Sequence, residues 1–329
     1  MNIDAHSHFV TEECFHALSE LEDGRNIVQE SSGRDSGTWN IQLFERIKDK
    51  LSDIPTRLRD MDKARVDVQI LSPSPIMFYY WVDVETGISL SRLQNERISE
   101  ICRQYPSRFI GIGTVPLQDV DEAVKELERA SKELDLRGVI ISSNVNGKDL
   151  DDPIFFPFFE RSESLHLLIF IHPHNTAAAD RMQRFYLTNL IGNPLDTTIA
   201  ATRLIFSGLL EKLPGLKICF AHGGGHLPYI MGRIHHGYVV RPECKGEMTR
   251  SPWDYFGCLY FDTITHHTQA LEYLVKTAGS DHVLMGSDYP YDMGDEDPVA
   301  SVQGLSIPEV DKKKILGGNL RRLLGMKQS

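Results

Sequence analysis

Eight short apolar runs, separated by stretches of helical pattern, constrain the fold of this chain more than any other feature. They are Asn2–Phe9, Val68–Leu71, Phe109–Val115, Gly138–Ser142, Leu167–Ile171, Leu216–Ala221, Leu259–Asp262 and Val283–Gly286. Most are continuous Val, Ile, Leu and Phe rather than alternating apolar and polar, as expected of parallel strands buried on both faces. The clearest helix between them is Asp119–Leu134, where Ala123, Val124, Leu127, Ala130 and Leu134 form one apolar stripe and acidic residues gather in the first turn. Ser89–Tyr105 and Thr268–Ala278 also read as helices. Eight strands alternating with helices is the count of a (β/α)8 TIM barrel. An open doubly wound sheet is the competitor, but no glycine-rich dinucleotide fingerprint follows any of these strands.

Two connections are longer than a plain barrel needs: Thr11–Pro55, a small insertion after strand one, and Pro173–Pro214, a lid or subunit-contact segment after strand five. No internal repeat or linker divides the 329 residues, so a single domain over 1–329 is expected. The formal charge of -11 excludes a nucleic-acid surface, while leaving room for an acidic substrate held by a few local cations. No apolar run reaches the length of a membrane span and no signal-peptide pattern opens the chain. Five scattered cysteines without a CxxC pair fit reduced thiols, which points to the cytoplasm.

In a barrel the chemistry lies at the carboxyl ends of the strands. Strand one carries His6 and His8, two residues apart and so on the same side: half of a divalent-metal site or a structural pair. Strand five delivers His172, strand six delivers His222 into Gly223-Gly224-Gly225, and strand eight delivers Asp288 before Tyr289-Pro290. All five converge on one mouth if the barrel forms. A cluster of imidazoles with a carboxylate suits zinc or a similar borderline ion. Asp262, ending strand seven, reads as a structural or supporting acid, and Phe78 after strand two as pocket wall or core.

These residues, together with Met61-Asp62, Val115-Pro116-Leu117-Gln118-Asp119, Ile171-His172-Pro173, Met231-Gly232-Arg233 and Gly286-Ser287-Asp288-Tyr289-Pro290, occur in the order of one known family. The chain resembles the metal-dependent amidohydrolase superfamily, in its branch similar to 2-amino-3-carboxymuconate 6-semialdehyde decarboxylase. The resemblance implies one divalent metal, typically zinc with manganese as the alternative, held by His6, His8, His172 and Asp288, and no organic cofactor. It makes His222 the acid/base residue beside the metal, with Asp288 sharing the proton traffic. Arg233 matches an arginine that reaches the neighbouring subunit's site, implying a homodimer, and Arg46 is the nearest candidate for a second carboxylate-binding arginine. The family's lid tryptophans are replaced here by Arg184-Phe185-Tyr186, which makes Phe185 the candidate lid aromatic and leaves the substrate open. No lysine ends strand four, so the carbamylated bridge of two-metal relatives has no counterpart. The implied activity is decarboxylation of a small unsaturated or aromatic carboxylic acid. The alternative is a hydrolase or hydratase that adds water to a ring-cleavage product at the same site.

Overall fold

The computed structural model describes residues 1–20 and 37–326. The first connection, Thr11–Pro55, therefore lies partly outside the described residues.

Hydrophobic burial builds a ring of parallel strands. The first barrel strand is two short ladders, Ile3–Asp4 and His8–Phe9, both paired with Val68–Pro73, with Ile3 opposite Val68 and His8 opposite Ser72. Val68–Pro73 pairs with Phe109–Gly111, and a bridge from Gly113 to Val139 carries the ring to Gly138–Ser142. From there Leu168–His172, Lys217–Phe220, Tyr260–Asp262 and Val283–Leu284 follow in order. The ring closes where the Ala5 amide donates to the Met285 carbonyl at 2.7 Å and Ser7 bridges Tyr289. This is the (β/α)8 barrel. Its strands are buried along their length, apart from the outer end of Lys217–Phe220 and the partly exposed Ile110 and Tyr260, which is why they read as unbroken apolar runs.

The helices form the outer layer. Val120–Lys132 is capped by Asp119, whose side chain accepts from the Glu122 amide, and it buries Ala123, Leu127 and Ala130 against the strands. Thr268–Ala278 has the predicted bounds. Val84–Gln104 begins five residues before the predicted Ser89, because the side chain of Asp83 caps it by accepting from the Thr86 amide. Its first turn contains β-branched residues and Gly87, poor helix formers that hide the start. A Cβ at Gly87 would lie 2.2 Å from the Gln118 side-chain amide nitrogen, so a larger residue there must push that side chain aside.

The segment after the fifth strand is only partly a lid. Asn193–Phe206 is a regular helix that buries Ala200, Ala201, Leu204 and Ile205 and serves as that strand's crossover. The part over the barrel mouth is the shorter stretch ending in Thr188–Gly192. Among the described residues no helix is long and apolar enough to cross a membrane.

Candidate active site

Three histidines enter the barrel mouth with one ring nitrogen already anchored. His6 Nδ1 lies 2.7 Å from Asp262 Oδ2 and His172 Nδ1 lies 2.9 Å from the Pro173 carbonyl. His8 Nδ1 makes a longer 3.4 Å contact with the Pro73 carbonyl. A proton held on each Nδ1 leaves the Nε2 lone pair free and fixes the direction in which it points. His6 Nε2 and His8 Nε2 are 3.0 Å apart, and Asp288 Oδ1 lies 2.9 Å from His8 Nε2 and 3.4 Å from His6 Nε2. Lone pairs facing one another beside a carboxylate are satisfied by a shared cation. His6, His172, His222 and Asp288 each offer a ligand atom within 4.8 Å of the others, so a divalent ion fits this donor set. All five expected residues come together, but the mutually close group holds His222 and leaves out the expected ligand His8, whose Nε2 contacts His6 and Asp288 at 3.0 and 2.9 Å.

Electrostatics agree with this reading at His172 but not at His6. At His6 burial would lower the pKa, but the charge of Asp288 with the hydrogen bond and charge of Asp262 outweigh it and raise it. Burial, reinforced by the neighbouring imidazoles, holds His172 well below its ordinary pKa and therefore neutral, the form that binds a metal. Burial alone would raise the Asp288 carboxyl. The charge of His6 and hydrogen bonds from His222 and His8 outweigh it and keep Asp288 well below the carboxylate range.

His222 differs from the other three histidines. Its side chain is 17% exposed, its Nε2 is 3.6 Å from Asp288 Oδ2, and its buried Nδ1 has no partner among the protein's atoms. Both His222 and Asp288 adopt left-handed backbone conformations, with φ of 55° and 57°. These turns throw their side chains into the mouth. The glycines after His222 are forced by space as well as by φ: a Cβ on Gly224 would meet the Phe261 ring at 2.5 Å, and one on Gly225 the Pro194 carbonyl at 2.1 Å.

Asp262 organises this turn. One carboxylate oxygen accepts from the His222 amide at 2.9 Å while also holding His6, and the other accepts from Gly223 at 2.8 Å and Ile264 at 3.0 Å. Burial would raise its pKa, but the hydrogen bond and charge of His6, the charge of His222 and the Gly223 amide outweigh it and lower it. Asp262→Asn removes the charge and turns one of the two accepting oxygens into an NH2 donor, so His6 Nδ1 and the backbone amides can no longer all be satisfied. Divalent-metal affinity should fall by about 10–100-fold, the usual cost of losing such a partner. Competition against a chelator measures it, with circular dichroism confirming the fold. Unchanged affinity would remove Asp262 from the metal-supporting set.

A second buried network lies beneath the site. Asp4 accepts from the amides of His6 and Ser287, each at 3.0 Å, from Gln69 Nε2 at 2.8 Å and from the Ser287 hydroxyl. Arg57, fully buried on helix Ile54–Lys63, donates to Gln69 Oε1 at 2.8 Å, to Ser7 Oγ at 3.3 Å and to the His8 carbonyl. Its guanidinium stands 4.7 Å from the centre of the Tyr289 ring. The sequence reading passed over Arg57, because a lone arginine on a helix ordinarily reads as surface.

A cavity of 580 Å³ opens on one side of the cluster, lined by His222, Asp288, His226, Ile264, Tyr273 and Met293 among others. A smaller one of 150 Å³ shares His222 and Asp288 and adds His172, Phe44, Tyr186 and Tyr291. Of the candidate substrate residues, Phe78 is buried, stacked on Tyr80 at 5.6 Å, and lines an adjoining chamber. Phe185 is 69% exposed, with the Arg184 guanidinium over its ring. Arg46 is exposed on helix Gly37–Ser52, whose Leu43 and Phe44 do reach the smaller cavity, and Arg233 is exposed on helix Leu227–Val240. Neither arginine nor Phe185 is brought to these cavities within the described residues.

Comparison with known proteins agrees with this architecture. Residues 3–326 match the amidohydrolase family, to which the chain belongs. Within it the chain falls in the branch similar to 2-amino-3-carboxymuconate-6-semialdehyde decarboxylase: the enzyme of that name from Dictyostelium discoideum is 38% identical over 87% of this chain and 80% of its own. The crystal structure of 5-carboxyvanillate decarboxylase from Sphingomonas paucimobilis superposes with a TM-score of 0.85 at 29% identity, covering 99% of both chains. Dihydroxybenzoic acid decarboxylase from Polaromonas sp. JS666, solved with manganese and the inhibitor 2-nitroresorcinol, superposes with a TM-score of 0.82 at 28% identity over 100% of this chain and 98% of its own.

Proposed function

We propose that this protein is a metal-dependent decarboxylase of small aromatic or unsaturated carboxylic acids, acting in the cytoplasm as a single-domain subunit of a homodimer. The observation that carries the reading is the convergence of three anchored imidazoles and Asp288 at a cavity-lined barrel mouth, in a chain whose relatives are decarboxylases. His6, His8, His172 and Asp288 would hold one divalent ion, zinc or, as in the Polaromonas relative, manganese. When bound, such an ion supplies Lewis-acid polarisation of a substrate oxygen.

The remaining work belongs to the chain's own groups. Walls such as Tyr291 and Phe44 exclude water and orient a flat ring. His222 Nε2, facing both cavities, holds the proton that replaces carbon dioxide on the ring carbon, and Asp288 Oδ2 steadies that proton from 3.6 Å. Arg233 is the proposed carboxylate contact, by reaching the neighbouring subunit's site.

The test is mass spectrometry of zinc- and manganese-loaded enzyme incubated with carboxymuconate semialdehydes and hydroxybenzoates in ¹⁸O-water. Loss of carbon dioxide without solvent oxygen in the product is expected. A product carrying ¹⁸O with its carboxylate intact would replace decarboxylation by hydrolysis or hydration.

A further inference from the structure

Beside the metal cluster lies a chamber of 390 Å³ that the decarboxylation reading leaves without a role. It adjoins the smaller cavity at the cluster: His174, Asn175 and Thr176 wall both. On the other side Ser142, which lines the chamber, stands opposite the metal-site residue His172 in the strand register. A ring seated against His172 and His222 therefore has this chamber as its neighbour.

The walls have a definite chemistry. Phe78 and Tyr80 are stacked with their planes 14° apart, and His174 meets Phe78 edge-on at 6.1 Å and leans over Trp81 at 6.3 Å. The polar lining consists of amides, hydroxyls, the His174 imidazole and the Trp81 indole, with Asn144 and Asn146 among them, and no Asp, Glu, Lys or Arg lines the chamber among the described residues. An anion placed here would lose its hydration with no cation to compensate. An uncharged group would lose little. Two donors are left over: the buried Trp81 Nε1 and the buried Tyr80 hydroxyl find no partner among the protein's atoms, and a buried donor without a partner is costly.

We propose that this chamber is a second substrate subsite, which receives the part of an aromatic acid remote from the departing carboxylate and selects uncharged, hydrogen-bond-accepting substituents such as methoxy over anionic ones. The substituent's oxygen would satisfy Trp81 Nε1 and its methyl group would pack on Phe78 and His174. The inference rests on the decarboxylase reading for the identity of the substrate, but it concerns binding and is tested on binding.

The experiment measures Kd by calorimetry on metal-loaded enzyme for salicylates whose 4- or 5-position carries hydrogen, methoxy or carboxylate. Methoxy at one of the two positions should tighten binding about tenfold over hydrogen, the combined gain of a buried methyl and one hydrogen bond. Carboxylate at that position should bind at least tenfold more weakly than methoxy. Ala179 lines the chamber away from the metal cluster, and Ala179→Leu fills it. That variant should abolish the methoxy preference while leaving the Kd of unsubstituted salicylate within about twofold. Trp81→Phe, which removes the N–H but keeps an aromatic wall, should lose part of it. The subsite is refuted if wild type shows no methoxy preference, if carboxylate binds as well as methoxy, if the preference survives Ala179→Leu, or if no salicylate binds. Carbon dioxide release by these acids and by the carboxymuconate semialdehydes and hydroxybenzoates named above is scored separately. Its absence with the binding pattern intact would overturn the decarboxylase reading and leave the subsite standing.

Discussion

His222→Asn is expected to keep the fold and the metal while turnover falls by about 10²–10⁴-fold, the range typical of a lost acid/base group. The substitution suits the backbone, because His222 sits at φ 55° and asparagine tolerates the left-handed region better than most residues. It also leaves the supporting bonds in place: the contact from His222 to Asp262 is made by the backbone amide, and His222 Nδ1 has no protein partner to lose. Only the proton-carrying ring facing the cavities is removed. The variant also decides a question the geometry raises, since His222 lies within 4.8 Å of His6, His172 and Asp288 at its ligand atom. If His222 were a ligand, elemental analysis would show metal lost with the activity. If it only packed, kcat would survive. Metal retained with kcat reduced places it as the proton donor.

The barrel was legible because its strands are buried on both faces, so most of them read as apolar runs with few polar interruptions. Leu168–His172 and Gly138–Ser142 are apolar until the last residues, where the mouth needs chemistry. The same logic exposed His172, His222 and Asp288, each of which interrupts an apolar run at its carboxyl end. Boundaries were less legible. Asp83 and Asp119 cap their helices through hydrogen bonds that a stripe of apolar residues does not record. The Asn193–Phe206 crossover was hidden inside the long lid, because its buried face is built of Ala and Thr as much as Leu and Ile. The Asp4–Gln69–Arg57 network was invisible for a different reason. Its members are scattered over the first two strands and a helix, and only tertiary packing turns three surface-type residues into a buried set.

Arg57→Met is expected to destabilise the protein by roughly 2–4 kcal/mol and to weaken metal retention with it, because the residue clamps the strand ends that carry the site. Burial depresses the guanidinium to about 10, so it remains charged at neutral pH despite lying wholly in the interior. A buried charge persists only where donors find acceptors. Here the two terminal nitrogens reach the His8 carbonyl, Gln69 Oε1, Ser7 Oγ and, at 3.2 Å, the Lys50 carbonyl, while Nε has no protein partner. Methionine fills much of the volume but leaves these acceptors dry. The face of Tyr289, next in sequence to Asp288, loses its cation as well. Both the first and the eighth strand are thereby loosened at the histidine and aspartate they present. Arg57→Lys supplies one ammonium in place of a fork and should recover only part of the loss. Denaturant unfolding gives the stability change, and chelator competition on the folded fraction gives metal affinity. A variant as stable as wild type would show that helix Ile54–Lys63 merely covers the barrel. Lost stability with metal affinity unchanged in the folded fraction would confine Arg57 to the core and dissociate it from the site.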